Sequence, residues 1–307
     1  MKEALRMNRK KILSFVLTGT FLFALSGCVN QHLKDESQSS EKLDADYRIA
    51  ATSVATCEIL EALGVEGEHV AGVPHSDAYV IPKPYENAES LGSPMAPDME
   101  ILKSLQVDYV FTPNSLEGEL KPQYENMGVK SYFLNLKSVD GMYDSIREIG
   151  TLLGKTEQAE KLCAEYEQFK ADFAEQNHKE NPPRVLILMG LPGSYVVATE
   201  SSYVGSLVKL AGAENIYGDG DGTDFLNVNV EDMLSRQPDI ILRTSHAMPE
   251  QVAVMFEEEF KSNDIWKHFD AVKNGKVYDL DHEKCGMSAT FRYKDALKDL
   301  EPILYGK

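Results

Sequence analysis

The side chains best placed for chemistry in this 307-residue chain are one thioether and one imidazole, each in a loop. Met95 sits in Leu91-Gly92-Ser93-Pro94-Met95-Ala96-Pro97-Asp98, where two prolines stiffen the chain just before a helix pattern. His246 sits in Arg243-Thr244-Ser245-His246-Ala247-Met248-Pro249, just past the apolar run Ile240-Ile241-Leu242. Chain beyond the C-terminal end of a strand is where open α/β sheets hold ligand-binding residues. A thioether is a soft ligand for haem iron or copper, and imidazole suits both. Plainer roles exist for each: Met95 as an apolar staple against the next helix, His246 as a surface loop residue. One such residue per lobe would let two lobes hold one metal-centred ligand. A bare copper ion would be short of ligands unless Met248 joined.

Other candidates are positional. Thr52 and Ser53 stand at the start of the first helix pattern, where free N–H groups and the helix dipole favour a carboxylate; simple capping is the alternative. Leu191-Pro192-Gly193-Ser194-Tyr195-Val196-Val197 brings an aromatic ring, Tyr195, and backbone amides to the entrance of the second half. Asp219 to Asp224 holds three Asp and two Gly but lacks the spacing of a full calcium loop, and reads as a turn. No nucleophile elbow, His-Glu-x-x-His or phosphate loop occurs, so an enzyme is not expected.

The N-terminus carries an address. Lys2, Arg6, Arg9, Lys10 and Lys11 precede an apolar run that ends in Leu25-Ser26-Gly27-Cys28. The run is too short to span a bilayer and reads as a signal peptide, residues 1–27, cut before a lipid-bearing Cys28. The mature chain would sit on the extracytoplasmic face of the cell membrane, lipid-anchored. Cleavage would move the formal charge from -18 to -22, because residues 1–27 hold five basic side chains and one acidic one. So acidic a surface repels nucleic acid. Cys57, Cys163 and Cys285 are widely spaced and odd in number, and read as idle thiols rather than a framework, although a pairing such as Cys57–Cys163 stays open.

These residues need a scaffold. Residues 28–46 are mostly polar and read as a tether, with order starting near Tyr47. Residues 47–138 alternate short strands and helices, as an α/β lobe does. Residues 139–176 carry apolar side chains at three- and four-residue steps, which predicts a long helix, weakened at Gly150 and Gly154, joining two lobes. Residues 177–307 restart the strand and helix rhythm. A short repeat links the halves: Asp98 stands two before Glu100 and Asp108 eight after it, while Asn229, Glu231 and Asp239 repeat the spacing. The 280-residue mature chain suits one large domain or two lobes with separate cores.

Three segments carry a resemblance: Gly92-Ser93-Pro94-Met95-Ala96-Pro97, Pro192-Gly193-Ser194-Tyr195-Val196-Val197-Ala198-Thr199-Glu200, and His246-Ala247-Met248-Pro249-Glu250. With them the chain, from about Tyr47 to Tyr305, resembles the haem-binding lipoproteins of the iron-regulated surface determinant uptake system of Gram-positive bacteria. The resemblance implies two Rossmann-like α/β lobes bridged by a single long helix, with haem b in a shallow cleft. It implies axial iron ligation by Met95 and His246, and a propionate near Thr52 and Ser53. Tyr195 joins the expected haem-binding residues. The implied partners are cell-wall haem-carrier proteins, an ABC permease and the membrane, through the lipid, for a monomer. The alternative cargo is a ferric siderophore or other metal chelate, for which Arg243 and Arg292 would supply positive charge.

Overall fold

The computed structural model describes residues 43–76, 80–177 and 180–306. The signal peptide, Cys28, and residues 28–42 of the tether lie outside the described residues. The first lobe starts with β1 (Ile49–Ala51), a fully buried strand paired on both sides, as the core of a parallel sheet requires. Next come α1 (Val54–Ala62), β2 (Val70–Val73), the short strands β3 (Glu89–Ser90), β4 (Gly92–Ser93) and β5 (Ala96–Pro97), and α2 (Met99–Ser104). β6 (Tyr109–Pro113), α3 (Glu117–Met127) and β7 (Lys130–Leu134) complete the lobe. Its sheet runs β3-β2-β1-β6-β7 and is parallel throughout.

The long helical pattern is two helices, α4 (Val139–Leu152) and α5 (Thr156–Asn177). Gly154 adopts φ +69° and ends the first, and Gly150 lets the second return against it, because a Cβ there would lie 2.4 Å from the Ala159 Cβ. The expected bridge over 139–176 is thus corrected. α4 and α5 pack side by side, α4 touches β7 of the first lobe and α6 of the second, and the chain enters the second lobe from α5. The twenty-two residues of α5 span about 33 Å at the helical rise.

The second lobe contains β8 (Arg184–Leu191), β9 (Ser194–Ala198), α6 (Tyr203–Leu210), β10 (Glu214–Asn215), β11 (Phe225–Leu226) and α7 (Val230–Arg236). It continues with β12 (Ile240–Ser245), α8 (Pro249–Ser262), α9 (Asp270–Lys273), β13 (Val277–Asp279) and α10 (Tyr293–Tyr305). The sheet order is β11-β9-β8-β12-β13, with β10 pairing the start of β8. β8, β12 and β13 are parallel, β9 turns back antiparallel to β8, and the edge strand β11 is antiparallel to β9.

The sequence repeat has a physical cause. Asp98 caps α2 by accepting from the N–H of Glu100 and Ile101, and Asn229 caps α7 by accepting from that of Asp232. Asp108 then clamps the residue that starts the first sheet: its carboxylate accepts from Arg48 N–H at 2.8 Å, and its own N–H donates to Arg48 C=O at 2.7 Å. Asp239 does the same to Arg184, at 2.8 Å in both directions. Each lobe therefore closes its central strand pair with the same two-way clamp.

The cores are not separate. One apolar cluster runs through β1 and α1, along α4 and α5, and into β8, α6 and α10, with a satellite on the other face of each sheet. At its centre Tyr143 stacks on Tyr166 at 4.2 Å, and Tyr293 of the second lobe meets both edge-on at 6.1 and 5.7 Å. Each such pair adds roughly 0.5–1.5 kcal/mol beyond burial. Order also starts earlier than the polar composition implies. Leu43 N–H donates to Leu152 C=O at 2.9 Å, an orphan carbonyl at the end of α4, and its side chain packs on the core.

Cys57, Cys163 and Cys285 are free and buried. Burial pushes all three thiols up, Cys285 to about 12, which keeps them protonated and inert. Among the described residues no helix is long and apolar enough to cross a membrane.

Candidate functional site

Met95 occupies the tip of a miniature hairpin. β4 and β5 pair antiparallel, Pro94 presets the turn, and Met95 N–H donates to Ser93 Oγ at 3.3 Å. The base is fastened: Leu91 is buried, its N–H reaches Val73 C=O at 2.8 Å, and Asp98 N–H reaches Leu91 C=O at 2.7 Å. Gly92 permits the bend at φ +76°. Anchored below and open above, the Met95 side chain stays 56% exposed. It is not a staple against α2, because Leu91 and Leu102 fill that apolar space.

His246 follows the end of β12. Its N–H donates to Gly190 C=O at 3.0 Å, which extends the sheet register by one residue. Gly190 must lack a side chain, since a Cβ would meet Val252 Cγ1 at 2.1 Å and Phe256 at 2.9 Å. That close approach brings the start of α8 onto the strand end. The imidazole is open to solvent on one side yet backed by enough protein to lower its pKa through desolvation. At neutral pH it therefore presents an unprotonated nitrogen. Met248, also half exposed, caps α8 in the left-handed region (φ +49°, ψ +55°) before Pro249.

Thr52 corrects an expectation. It is fully buried, and its hydroxyl turns inward to Thr112 Oγ1 at 3.0 Å. Ser53 caps α1, accepting from Thr56 N–H at 3.2 Å. Both hydroxyls are used inside the protein. A carboxylate at this helix start would meet backbone N–H groups of the first turn instead. Tyr195 is likewise engaged: its hydroxyl donates to Glu259 Oε1 at 2.9 Å, and its ring packs 5.6 Å from Phe256 of α8. Sequence reasoning missed β9, which carries Tyr195, and the Glu259 network on α8. The aromatic and β-branched run Tyr195-Val196-Val197 was the available signal.

Glu259 Oε1 also accepts from Trp266 Nε1 at 2.9 Å and Asn263 Nδ2 at 3.0 Å. Burial alone would raise its pKa, but the three donors outweigh it and hold the carboxyl below its ordinary value. A depressed carboxylate stabilises the fold above the unfolded-state value of about 4.3, and that contribution fades as pH falls through the folded value. The melting temperature of Glu259→Gln is therefore expected to trail the wild type at neutral pH and to converge with it in acid. An offset that stays constant with pH would contradict this account.

Met95, Ser53, Asn114 and His246 all follow C-terminal ends of parallel strands in their sheets. The lobes meet over those ends. Arg292 pairs with Glu58 of α1 at 3.0 Å, Lys137 with Asp224 at 2.8 Å, and Ala289 N–H donates to Leu136 C=O at 2.8 Å. Arg243 is held by Asp279 through two bonds of 2.7 and 2.5 Å. The cavities at this junction are lined by neither Met95 nor His246.

Two parallel-cored lobes joined by one crossing helix, with loops facing a cleft, invite comparison with known proteins. The sequence profile of the periplasmic binding protein family matches residues 49–283. The chain belongs to this family. As a periplasmic binding protein it is 37% identical over 282 residues to the high-affinity heme uptake system protein IsdE of Staphylococcus aureus, covering 92% of this chain and 93% of that protein. The structure matches an ABC transporter substrate-binding protein from Listeria monocytogenes EGD-e with a TM-score of 0.79 at 43% identity, over 85% of this chain and 100% of that one. It matches Staphylococcus aureus IsdE complexed with heme equally well, TM-score 0.79 at 38% identity, over 84% and 99% of the two chains. The expected two-lobed α/β fold with a long joining helix is the one observed.

Proposed function

We propose that this periplasmic binding protein carries haem b as cargo for an ABC importer, transferring it without making or breaking covalent bonds. The observation that carries the reading is the pairing of an exposed thioether on one lobe with an unprotonated imidazole on the other, each on a loop fastened at its base. The family relative named for heme uptake supports it. Met95 and His246 would take the two axial positions of the iron, a combination met in six-coordinate low-spin haem proteins. The start of α1 would face a propionate with its free N–H groups and dipole. Tyr195 acts as support for α8, with its hydroxyl turned to Glu259.

Cys28 would carry lipid and hold the protein on the outer face of the membrane. Haem would come from cell-wall carriers and leave through a permease driven by a separate ATPase. The molecule would work as a monomer. A ferric siderophore asks for free cations in the cleft, and Arg243 and Arg292 are both ion-paired with carboxylates. The test is a haemin titration of the soluble chain that begins after Cys28, followed by absorption spectra. Saturable one-to-one binding with a low-spin spectrum is expected. Absence of saturation would overturn haem carriage and redirect the search to ferric chelates.

A further inference from the structure

Two side-chain oxygens at the junction of the lobes are buried with no protein donor in reach: Asn114 Oδ1, just past the end of β6, and Asp224 Oδ1, just before β11. Leaving such acceptors unpaired is costly, and native structures satisfy nearly all of them through protein or ordered water. Neither group is free to turn elsewhere. Asn114 Nδ2 donates to Asn135 Oδ1 at 3.3 Å. The other Asp224 carboxylate oxygen holds Lys137 Nζ at 2.8 Å, and the Asp224 C=O accepts from Thr199 N–H at 3.0 Å. Both residues line one cavity of about 30 Å³, together with Ser115, Tyr203, Phe225 and Ser288. On the same measure a single water needs roughly 10–15 Å³ and two to four polar partners.

We propose that this cavity is a structural water site. One ordered water donates one hydrogen to Asn114 Oδ1 on the first lobe and the other to Asp224 Oδ1 on the second. Two unpartnered acceptors on the lining of one cavity are both satisfied by a species with two hydrogens. A metal cation is disfavoured, because Lys137 already balances the Asp224 charge. The bridge adds to the Lys137–Asp224 pair, the Arg292–Glu58 pair and the Ala289–Leu136 backbone bond as a further polar connection between the lobes. Spreading the lobes would break the bridge and open both acceptors to solvent, so the water is held only while the lobes keep this spacing. The inference does not depend on the cargo.

The test is a pair of high-resolution crystal structures of the full mature chain, one grown with sodium chloride and one with rubidium chloride. The expected result is one density peak within hydrogen-bonding distance of both oxygens, the same in both salts and without anomalous signal. An anomalous peak in rubidium would overturn the water in favour of a monovalent cation. Asn114 and Asp224 turned onto protein donors, with no peak, would remove the site. In crystals of Asn114→Leu the peak should vanish, and its persistence in place would refute the two-point bridge. A failed haemin titration would leave all of these outcomes unaffected.

Discussion

Replacing His246 with alanine is expected to abolish the low-spin six-coordinate haem spectrum and to weaken haemin binding by on the order of 100-fold, about 2.8 kcal/mol at 1.4 kcal/mol per tenfold. The size follows from how the ring is held. Its backbone is tied to Gly190, and α8 packs hard against that same glycine, so the imidazole is in place before cargo arrives. Desolvation lowers its pKa, so little proton has to leave at neutral pH. Met95→Ala should cost less, roughly tenfold by the same scale. A thioether is the weaker ligand, and Met95 stands on a solvent-open tip. Its spectrum should become that of iron held by one imidazole. Titration and absorption spectra of both variants check this. Saturable binding with an unchanged spectrum in both would keep the cargo and reject the site.

Gly205→Ala is expected to destabilise the chain by about 3 kcal/mol, the upper end of what overpacking costs. Gly205 lies in the first turn of α6, where a Cβ would fall 1.8 Å from Thr199 O, 2.6 Å from its carbonyl carbon and 2.7 Å from Glu200 Cα. These are backbone atoms with no rotamer to change. Thr199 is also fixed by Ser202, whose hydroxyl donates to its C=O at 2.7 Å, and by its own N–H bond to Asp224 C=O. Relief requires α6 to move away from the strand end, which pulls on the core shared with α10. Gly118→Ala is the matched control: it lies in α3 with nothing within 4 Å of a new Cβ. There alanine should be neutral or stabilising by up to about 1 kcal/mol. Denaturant midpoints decide. Equal midpoints for Gly205→Ala and wild type would show that the helix yields freely.

The elements that follow local rules were readable in the sequence. Most of the strand and helix order, the caps Asp98 and Asn229, and the loop positions of Met95 and His246 depend on spacing along the chain, whereas the clamp bonds of Asp108 and Asp239 reach Arg48 and Arg184, 60 and 55 positions away. What could not be read depends on partners distant in sequence. The pattern over 139–176 is periodic in both α4 and α5, and only the positive φ of Gly154 and the approach of Ala159 to Gly150 reveal a hairpin. Thr52 looked like an exposed helix start, yet Thr112 from β6 draws its hydroxyl inward. Tyr195 looked like a cleft aromatic, and Glu259, sixty-four positions on, takes its hydroxyl. Leu43 seemed part of a polar tether until the end of α4 offered it a carbonyl. Met95 and His246 stand on loops as their flanking residues imply, while their proposed role toward the cargo comes from the resemblance and not from local pattern.

The aromatic joint of Tyr143, Tyr166 and Tyr293 makes the two lobes one cooperative unit. Calorimetry should then record a single heat-absorption peak rather than one per lobe. A ligand held by two loops would raise the melting point of the entire molecule through mass action. Amide exchange should slow in strands that never touch it, β1 and β8 among them.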